Sequence, residues 1–229
     1  MTTMKSLTAT LYGASFGVLL LLAAPLHAQE ATAGPTKSAN EVIEATTADL
    51  LVLIEEGKTY ADDDPERFYQ EVTALLEPVI SFKAISRNVM GAYSKRASDE
   101  QLQRFANNFR DGLVRTYALA LTEFSDGEAV VLPNDRPSRN PKRASVKMEI
   151  RTSDGQTYPV VYSMGLASDG QWRMLNIIIN GVNMGLTYRS QFLSAMKERQ
   201  YGGDLDKVID AWASVVSNVD PNDVVEETP

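Results

Sequence analysis

Apolar side chains recur every three or four residues through the first half of the chain, which is the period of a helix with one buried face. This pattern predicts helices over 40–56, 65–77 and 81–90, each followed by a glycine or a proline. Asn40 is the expected N-cap of the first helix. The chain is therefore expected to begin with a layer of short helices.

A longer stretch of the same period predicts a fourth helix. Ser98 and Gln101 have the spacing of a capping box, and apolar positions continue from there to Phe124, over about six or seven turns. Gly112 lies inside this helix, where glycine is unfavourable; it permits close approach of another element, leaves room for a ligand, or is tolerated there by chance.

The period shortens to two residues from Gly127 onward, which indicates strands. Four strands are predicted, over 127–132, 146–151, 158–164 and 171–180. Asp-Gly pairs separate the last three and predict hairpin turns between antiparallel neighbours. The final strand is apolar on both faces, so we expect part of it to be covered on both sides. Helices return over 187–199 and 204–217.

This order of elements predicts an α+β fold. A curved antiparallel sheet would be packed by N-terminal, long central and C-terminal helices and would enclose an apolar pocket. Residues 1–28 combine a positive end at Lys5, an apolar core and a small-residue cleavage site, which is typical of a secretory signal peptide. We expect a linker over 29–38, a single domain over 39–217 and an acidic tail over 218–229.

The composition excludes several classes of catalytic and metal-binding site. The 229 residues include no cysteine, and the single histidine, His27, lies inside the predicted signal peptide. A mature chain without histidine and cysteine has no Ser-His-Asp triad, Cys-His pair or thiolate or imidazole metal site. An enzyme would depend on carboxylates, lysine or tyrosine, but Asp111 and Glu123 point outward by helical periodicity. We therefore expect no enzyme, no catalytic residue, no metal and no cofactor.

The predicted inner face of the sheet, facing the long helix, contains no charged residue and several methionines. Methionine adapts to irregular shapes, so this face is expected to line a cavity for a flexible apolar molecule, with plain core packing as the alternative. The predicted lining residues are Phe105, Phe109, Leu113, Tyr117, Leu121, Val146, Met148, Ile150, Val160, Tyr162, Met164, Trp172, Met174 and Ile178.

A basic segment interrupts this acidic chain, whose formal net charge is −8. Arg139, Lys142 and Arg143 belong to it, and they predict contact with a lipid headgroup or a partner protein, with a solvated loop as the alternative. Nucleic acid is not expected, because the overall negative charge repels a polyanion.

Three separated runs carry a resemblance to a known family. They are RFANNFRDGLVRTYALAL from Arg104, PVVYSMGLASDGQWRMLNIIINGVNMGLTYRSQF from Pro159, and GDLDKVI from Gly203. In this order, and behind a secretory signal, they resemble the MlaC family, also called toluene-tolerance proteins. The resemblance covers nearly the whole chain after the predicted signal peptide.

The resemblance implies a fold of the nuclear-transport-factor type and a function in lipid transport. It implies a monomeric periplasmic phospholipid carrier of a Gram-negative bacterium, with the lipid as cargo and not as a cofactor. The implied partners are an outer-membrane Mla lipoprotein-porin complex and an inner-membrane Mla ABC transporter complex, between which the carrier maintains outer-membrane lipid asymmetry. The alternative is a periplasmic adaptor or chaperone-like protein without lipid cargo.

Some positions match the family pattern and others depart from it. Arg189 lies in the family's Tyr-Arg-x-x-Phe element, where it serves as a headgroup contact or as a structural anchor. Asn176 replaces the usual acidic residue of the last long strand, and Asn183 replaces a common serine.

Overall fold

A computed structural model describes residues 37–122, 127–133, 138–153 and 155–217, and within these ranges the chain forms six helices. They are α1 (Ala39–Gly57), α2 (Pro65–Leu76), α3 (Phe82–Met90), α4 (Asp99–Thr122), α5 (Met184–Ala195) and α6 (Leu205–Ser217), with a 3₁₀ turn over Gly91–Lys95. No helix in these ranges is both long and apolar enough to cross a bilayer. The predicted signal peptide, most of the linker and the acidic tail lie outside the described residues.

Local capping explains where most helices begin. The predicted capping box is confirmed, since the amide of Gln101 donates to Ser98 Oγ and that of Ser98 donates to Gln101 Oε1. The prediction of Asn40 as the cap of α1 was wrong: Ser38 caps this helix, in a capping box with Glu41. Asn40 lies inside the first turn, where its side-chain amide donates to the carbonyl of Leu132.

In the part of the chain that the structure describes, five antiparallel strands form one sheet in the order β1-β2-β3-β4-β5. They are β1 (Glu128–Val131), β2 (Arg143–Arg151), β3 (Thr157–Leu166), β4 (Trp172–Ile179) and β5 (Val182–Asn183). The α+β class and the curved meander are confirmed. The short β5 was not predicted, and α5 begins earlier than the predicted 187, because Asn183 caps it by accepting the amide of Leu186.

A bulge in β4 changes which of its residues share a face. Tyr162 pairs with Ile177 and Val160 pairs with Ile179, but Met164 pairs with Met174. One extra residue, Leu175, therefore lies between the two halves of β4. Because side chains alternate between faces, this insertion moves the following residues to the opposite face from the one that simple alternation predicts.

Buried apolar side chains form three separate clusters. The helical cluster joins α3, α4, α5 and α6 and includes Phe105, Phe109, Phe192 and Trp212. The sheet cluster joins α1 to the inner face of the sheet and includes Ile43, Val146, Met164 and Trp172. The α2–α4 cluster includes Phe68, Val72, Val114 and Ala118. The inner face of the sheet contributes Val146, Met164 and Trp172 to the sheet cluster, while Ile177 and Ile179 of β4 pack against the helical cluster.

Candidate functional site

The inner face of the sheet is apolar over its whole described area. The register places Val146 opposite Tyr162 and Met148 opposite Val160, with Ala144 and Ile150 on the same face. In β4 this face continues through Trp172, Met174, Ile177 and Ile179. None of these residues is charged. The structure therefore brings together the predicted lining residues of β2, β3 and the first half of β4.

The prediction of Ile178 on this face was wrong. Ile178 pairs with Val161 of β3 and Asn183 of β5, which lie on the outer face of the sheet. Because the bulge at Leu175 shifts the alternation by one residue, Ile177 and Ile179 take the inner positions. Sequence alternation gave no sign of this, since residues 177 to 179 are all isoleucine.

Phe105 and Phe109 belong to the helical cluster, against which Ile177 and Ile179 of the inner sheet face also pack. Their rings pack in the helical cluster, where Phe105 lies 5.0 Å from Trp212 and Phe109 lies 5.0 Å from Tyr188, measured between ring centroids. Both side chains are fully buried there. The first half of α4 is thus occupied by contacts with α5 and α6, including close approach at Gly112, where an added Cβ would lie 3.1 Å from Ala213 Cα.

The predicted lining residues in the second half of α4 are less buried than those in the first half. Leu113, Tyr117 and Leu121 are half-buried, as are Ile177 and Ile179 of β4. Leu113, Ile177 and Ile179 pack against the helical cluster, and the Tyr117 hydroxyl forms a hydrogen bond with that of Tyr188 at 3.2 Å. The backbone of α4 packs on α1, α2, α3 and α6 and makes at most sparse contact with any described strand.

Tyr162 lies at the centre of the inner face, between β2 and β4. Burial raises the pKa of its hydroxyl to about 12, because protein atoms surround it. The side chain keeps part of its surface accessible, whereas its neighbours Val146, Val160 and Met164 are fully buried.

Two hydroxyls reach into this apolar face. Thr47 of α1 and Tyr162 both donate to the sulfur of Met148, each at 3.8 Å. Sequence analysis missed Thr47, although it lies one helical turn after Ile43, which packs against the sheet. That i, i+4 spacing is the signal by which it could have been found.

A polar network holds the start of α5 against β4. Asn176 Nδ2 donates to Asn183 Oδ1 at 3.0 Å, and Asn176 Oδ1 accepts the amide of Gly185 at 3.0 Å. A side chain at Gly185 would place its Cβ 2.5 Å from Asn176 Oδ1, so only glycine fits. The two departures from the family pattern are therefore direct partners of each other.

The predicted basic residues lie on the outer face of the sheet, away from the apolar interior. Lys142 and Arg143 line an open cleft of about 550 Å³ together with Ser81 and Arg173, while Arg139 is exposed and lies outside its lining. Arg173, which the sequence analysis did not select, forms an ion pair with Asp169 at 2.6 Å.

Arg189 lies across the C-terminal end of α3. Its guanidinium is so close to Gly91 that an added Cβ would lie 3.0 Å from Nη2, and Gly91 has a φ of +56°. A cation is stabilising at the negative end of a helix dipole. This position favours the structural anchor over the headgroup contact.

Comparisons with known proteins agree with this architecture. Residues 44–214 match the family described as MlaC protein. The toluene tolerance protein ttg2D of Pseudomonas putida is 37% identical over 203 residues, which cover 88% of this chain and 90% of that protein. The intermembrane phospholipid transport system binding protein MlaC of Haemophilus influenzae is 22% identical over 133 residues, covering 57% and 62%.

A solved structure shares the fold. It is a phospholipid-binding protein from Ralstonia solanacearum in complex with a phospholipid, with a TM-score of 0.68 and 22% identity, covering 80% of this chain and 100% of that one. The family match and the Pseudomonas relative both extend over most of the chain. This chain therefore belongs to the MlaC family.

Proposed function

We propose that this protein is a periplasmic phospholipid carrier that holds acyl chains between the inner face of the sheet and the second half of α4. The observation that carries the proposal is the inner face of the sheet around Tyr162, on which every side chain of the described strands is apolar or aromatic and none is charged. The names of the Haemophilus relative and of the Ralstonia structure, both of which refer to phospholipid, support it.

The energetics of transfer fit such a carrier. Each buried methylene is worth about 0.8 kcal/mol relative to water, so two acyl chains resist release into water strongly. The lipid comes from a bilayer in which its chains are already buried, so the protein needs only an approximately equivalent apolar site. The charged headgroup stays at the mouth in solvent, which avoids the cost of burying a phosphate.

Exchange is therefore expected on docked complexes. We propose an outer-membrane Mla lipoprotein-porin complex and an inner-membrane Mla ABC transporter complex as the partners of this monomer. The cleft beside Lys142 and Arg143 is a candidate contact for either partner, because it presents cations on the surface of an acidic protein. If lipid transfer proceeded equally fast without these complexes, docked exchange would be refuted.

The test compares two substitutions on neighbouring residues of β2. Met148 faces the interior and Lys147 faces outward. Met148→Glu places a charge among the acyl chains, so we expect copurified phospholipid, measured by native mass spectrometry, to fall at least tenfold while circular dichroism reports a folded protein. Lys147→Glu should leave the lipid content unchanged.

The outcome for the wild-type protein separates the proposal from its alternative. A periplasmic adaptor or chaperone-like protein would present the same apolar interior to polypeptide and would purify without phospholipid. Wild-type protein that is free of lipid after expression in a Gram-negative periplasm, and that takes none up from vesicles, would refute the carrier.

A further inference from the structure

Two hydroxyl groups from different elements meet at one atom inside the apolar interior. Thr47 Oγ1 and the Tyr162 hydroxyl each donate to Met148 Sδ, at 3.8 Å. Within the described ranges these are the only hydrogen bonds of either hydroxyl. Both oxygens therefore lie 3.8 Å from a single sulfur.

The orientation of Thr47 differs from that of its neighbour in the same helix. Thr46 donates to the carbonyl oxygen of Val42 at 2.8 Å, which is the usual bond for a threonine inside a helix. Thr47 does not use the equivalent carbonyl one turn back and instead directs its hydroxyl toward the sheet. Its hydrogen-bonding capacity is thus presented to the interior.

A thioether sulfur satisfies these donors poorly. Sulfur is a weak acceptor, and a hydroxyl also has two lone pairs that can accept, which Thr47 and Tyr162 leave unused. In a site shielded from water, a hydrogen bond to a stronger acceptor is worth more than it is in solvent. Both hydroxyls can therefore gain from a ligand that brings a good oxygen acceptor.

The charge of the site limits which acceptor fits. The inner face carries no cation on any described strand, so a phosphate placed here would be a buried and unpaired charge. A polar group without charge and with alkyl chain attached is compatible with the apolar walls. In a phospholipid, that group is the ester that joins an acyl chain to glycerol.

We propose that Thr47 and Tyr162 together bind an ester carbonyl oxygen of the cargo, so that the protein selects ester-linked over ether-linked phospholipid. This inference rests on the proposed function. The carbonyl accepts from the Tyr162 hydroxyl or from both hydroxyls in place of Met148 Sδ. An ether lipid of the same chain length fills the same apolar space but offers no carbonyl.

The experiment measures the linkage preference directly. The purified protein is incubated with vesicles containing equal amounts of diacyl and dialkyl phosphatidylglycerol of one chain length, and the bound ratio is measured by mass spectrometry. We expect wild-type protein to prefer the diester lipid about fivefold, the effect of one net hydrogen bond. Tyr162→Phe and Thr47→Val should each reduce the preference, and the double variant should bring the ratio close to one.

Matched controls use hydroxyls that point elsewhere. Thr46→Val removes the hydroxyl bonded to Val42, and Tyr158→Phe removes one bonded to Gln156 Oε1, so both should keep the wild-type ratio. Dialkyl lipid binding by Thr46→Val should stay within twofold of the wild type, and circular dichroism reports whether Tyr162→Phe and Thr47→Val still fold.

Three results would overturn the inference. The first is a wild-type ratio of diester to diether lipid near one. The second is a ratio that neither Tyr162→Phe nor Thr47→Val changes. The third is a ratio that the control variants lower as much as these two variants do. In all three cases lipid still binds, and the proposed carrier function stands. If neither lipid binds to the wild-type protein, the carrier function itself fails and this inference fails with it.

Discussion

The link between Asn176 and Asn183 gives a prediction whose magnitude follows from the structure. The Asn176 side-chain amide donates to Asn183 Oδ1 at 3.0 Å, and Asn183 Oδ1 also accepts the amide of Leu186 as the cap of α5. Asn176→Asp exchanges the donor for a second oxygen, so two acceptors would face each other at about this distance. The substitution restores the family's usual acidic residue at one of the two positions only.

The expected cost combines two effects. Loss of the hydrogen bond lowers the free energy of unfolding by about 1 kcal/mol, and leaving partly buried acceptors unsatisfied lowers it by about 1–3 kcal/mol more. We therefore expect Asn176→Asp to lower the free energy of unfolding by about 2–4 kcal/mol. Asn183→Ser alone should lower the free energy of unfolding by only a few tenths of a kcal/mol, since serine is also a good N-cap. In the double variant the serine hydroxyl can donate to the new carboxylate, and about 2 kcal/mol should return.

Urea unfolding of the four proteins tests this reasoning as a double-mutant cycle. The unfolding midpoints should differ while the dependence on urea concentration stays constant, because the surface exposed on unfolding does not change. The reasoning would be refuted if Asn176→Asp unfolded at the wild-type midpoint. It would also be refuted if the two substitutions were additive within about 0.5 kcal/mol.

Two further predictions concern the helical cluster and the outer cleft. Trp212→Ala should lower the free energy of unfolding by about 3–5 kcal/mol and the melting temperature by on the order of 10 °C, because it truncates a fully buried side chain. The preference for ester-linked lipid should not change. A shift in melting temperature below about 3 °C would contradict this prediction. Hydrogen bonds from Arg173 lower the pKa of Asp169 to about 2, from its usual 3.8. The ionised Asp169 therefore stabilises the folded protein fully above pH 3.8, and this contribution is lost as the pH falls through about 2. Arg173→Gln should raise this pKa, measured by carboxyl NMR titration, and an unchanged value would refute the ion pair.

Local signals allowed much of the fold to be predicted. Asp64 before Pro65 starts α2, and the Ser98–Gln101 capping box starts α4, because a cap depends on residues within one turn of each other. The Asp169-Gly170 turn follows from the same kind of short-range constraint, with Gly170 at a φ of +78°. The hairpin at Asp154 was predicted as well, but that residue lies outside the described ranges.

The candidate site was predicted only in part, because two of its features depend on distant residues. An amphipathic pattern shows that Phe105 and Phe109 are buried, but not whether they meet the sheet or the aromatic side chains of α5 and α6. Alternation assigned Ile178 to the inner face, and the bulge beside Met174 reversed it. Lys142 and Arg143 were predicted to lie in one basic segment, and both line the outer cleft. Arg173 also lines this cleft, but only strand pairing brings it there.

The sequence by itself determined the order of helices and strands, most caps and turns, the apolar character of one sheet face and the family. These properties follow from periodicity, from contacts within a few residues and from separated motifs. Tertiary structure alone decided which apolar residues join which core cluster, because that depends on how the helices pack on one another and on the sheet. It also brought the Thr47 and Tyr162 hydroxyls to one sulfur, since residues 115 positions apart meet only when α1 packs on the sheet.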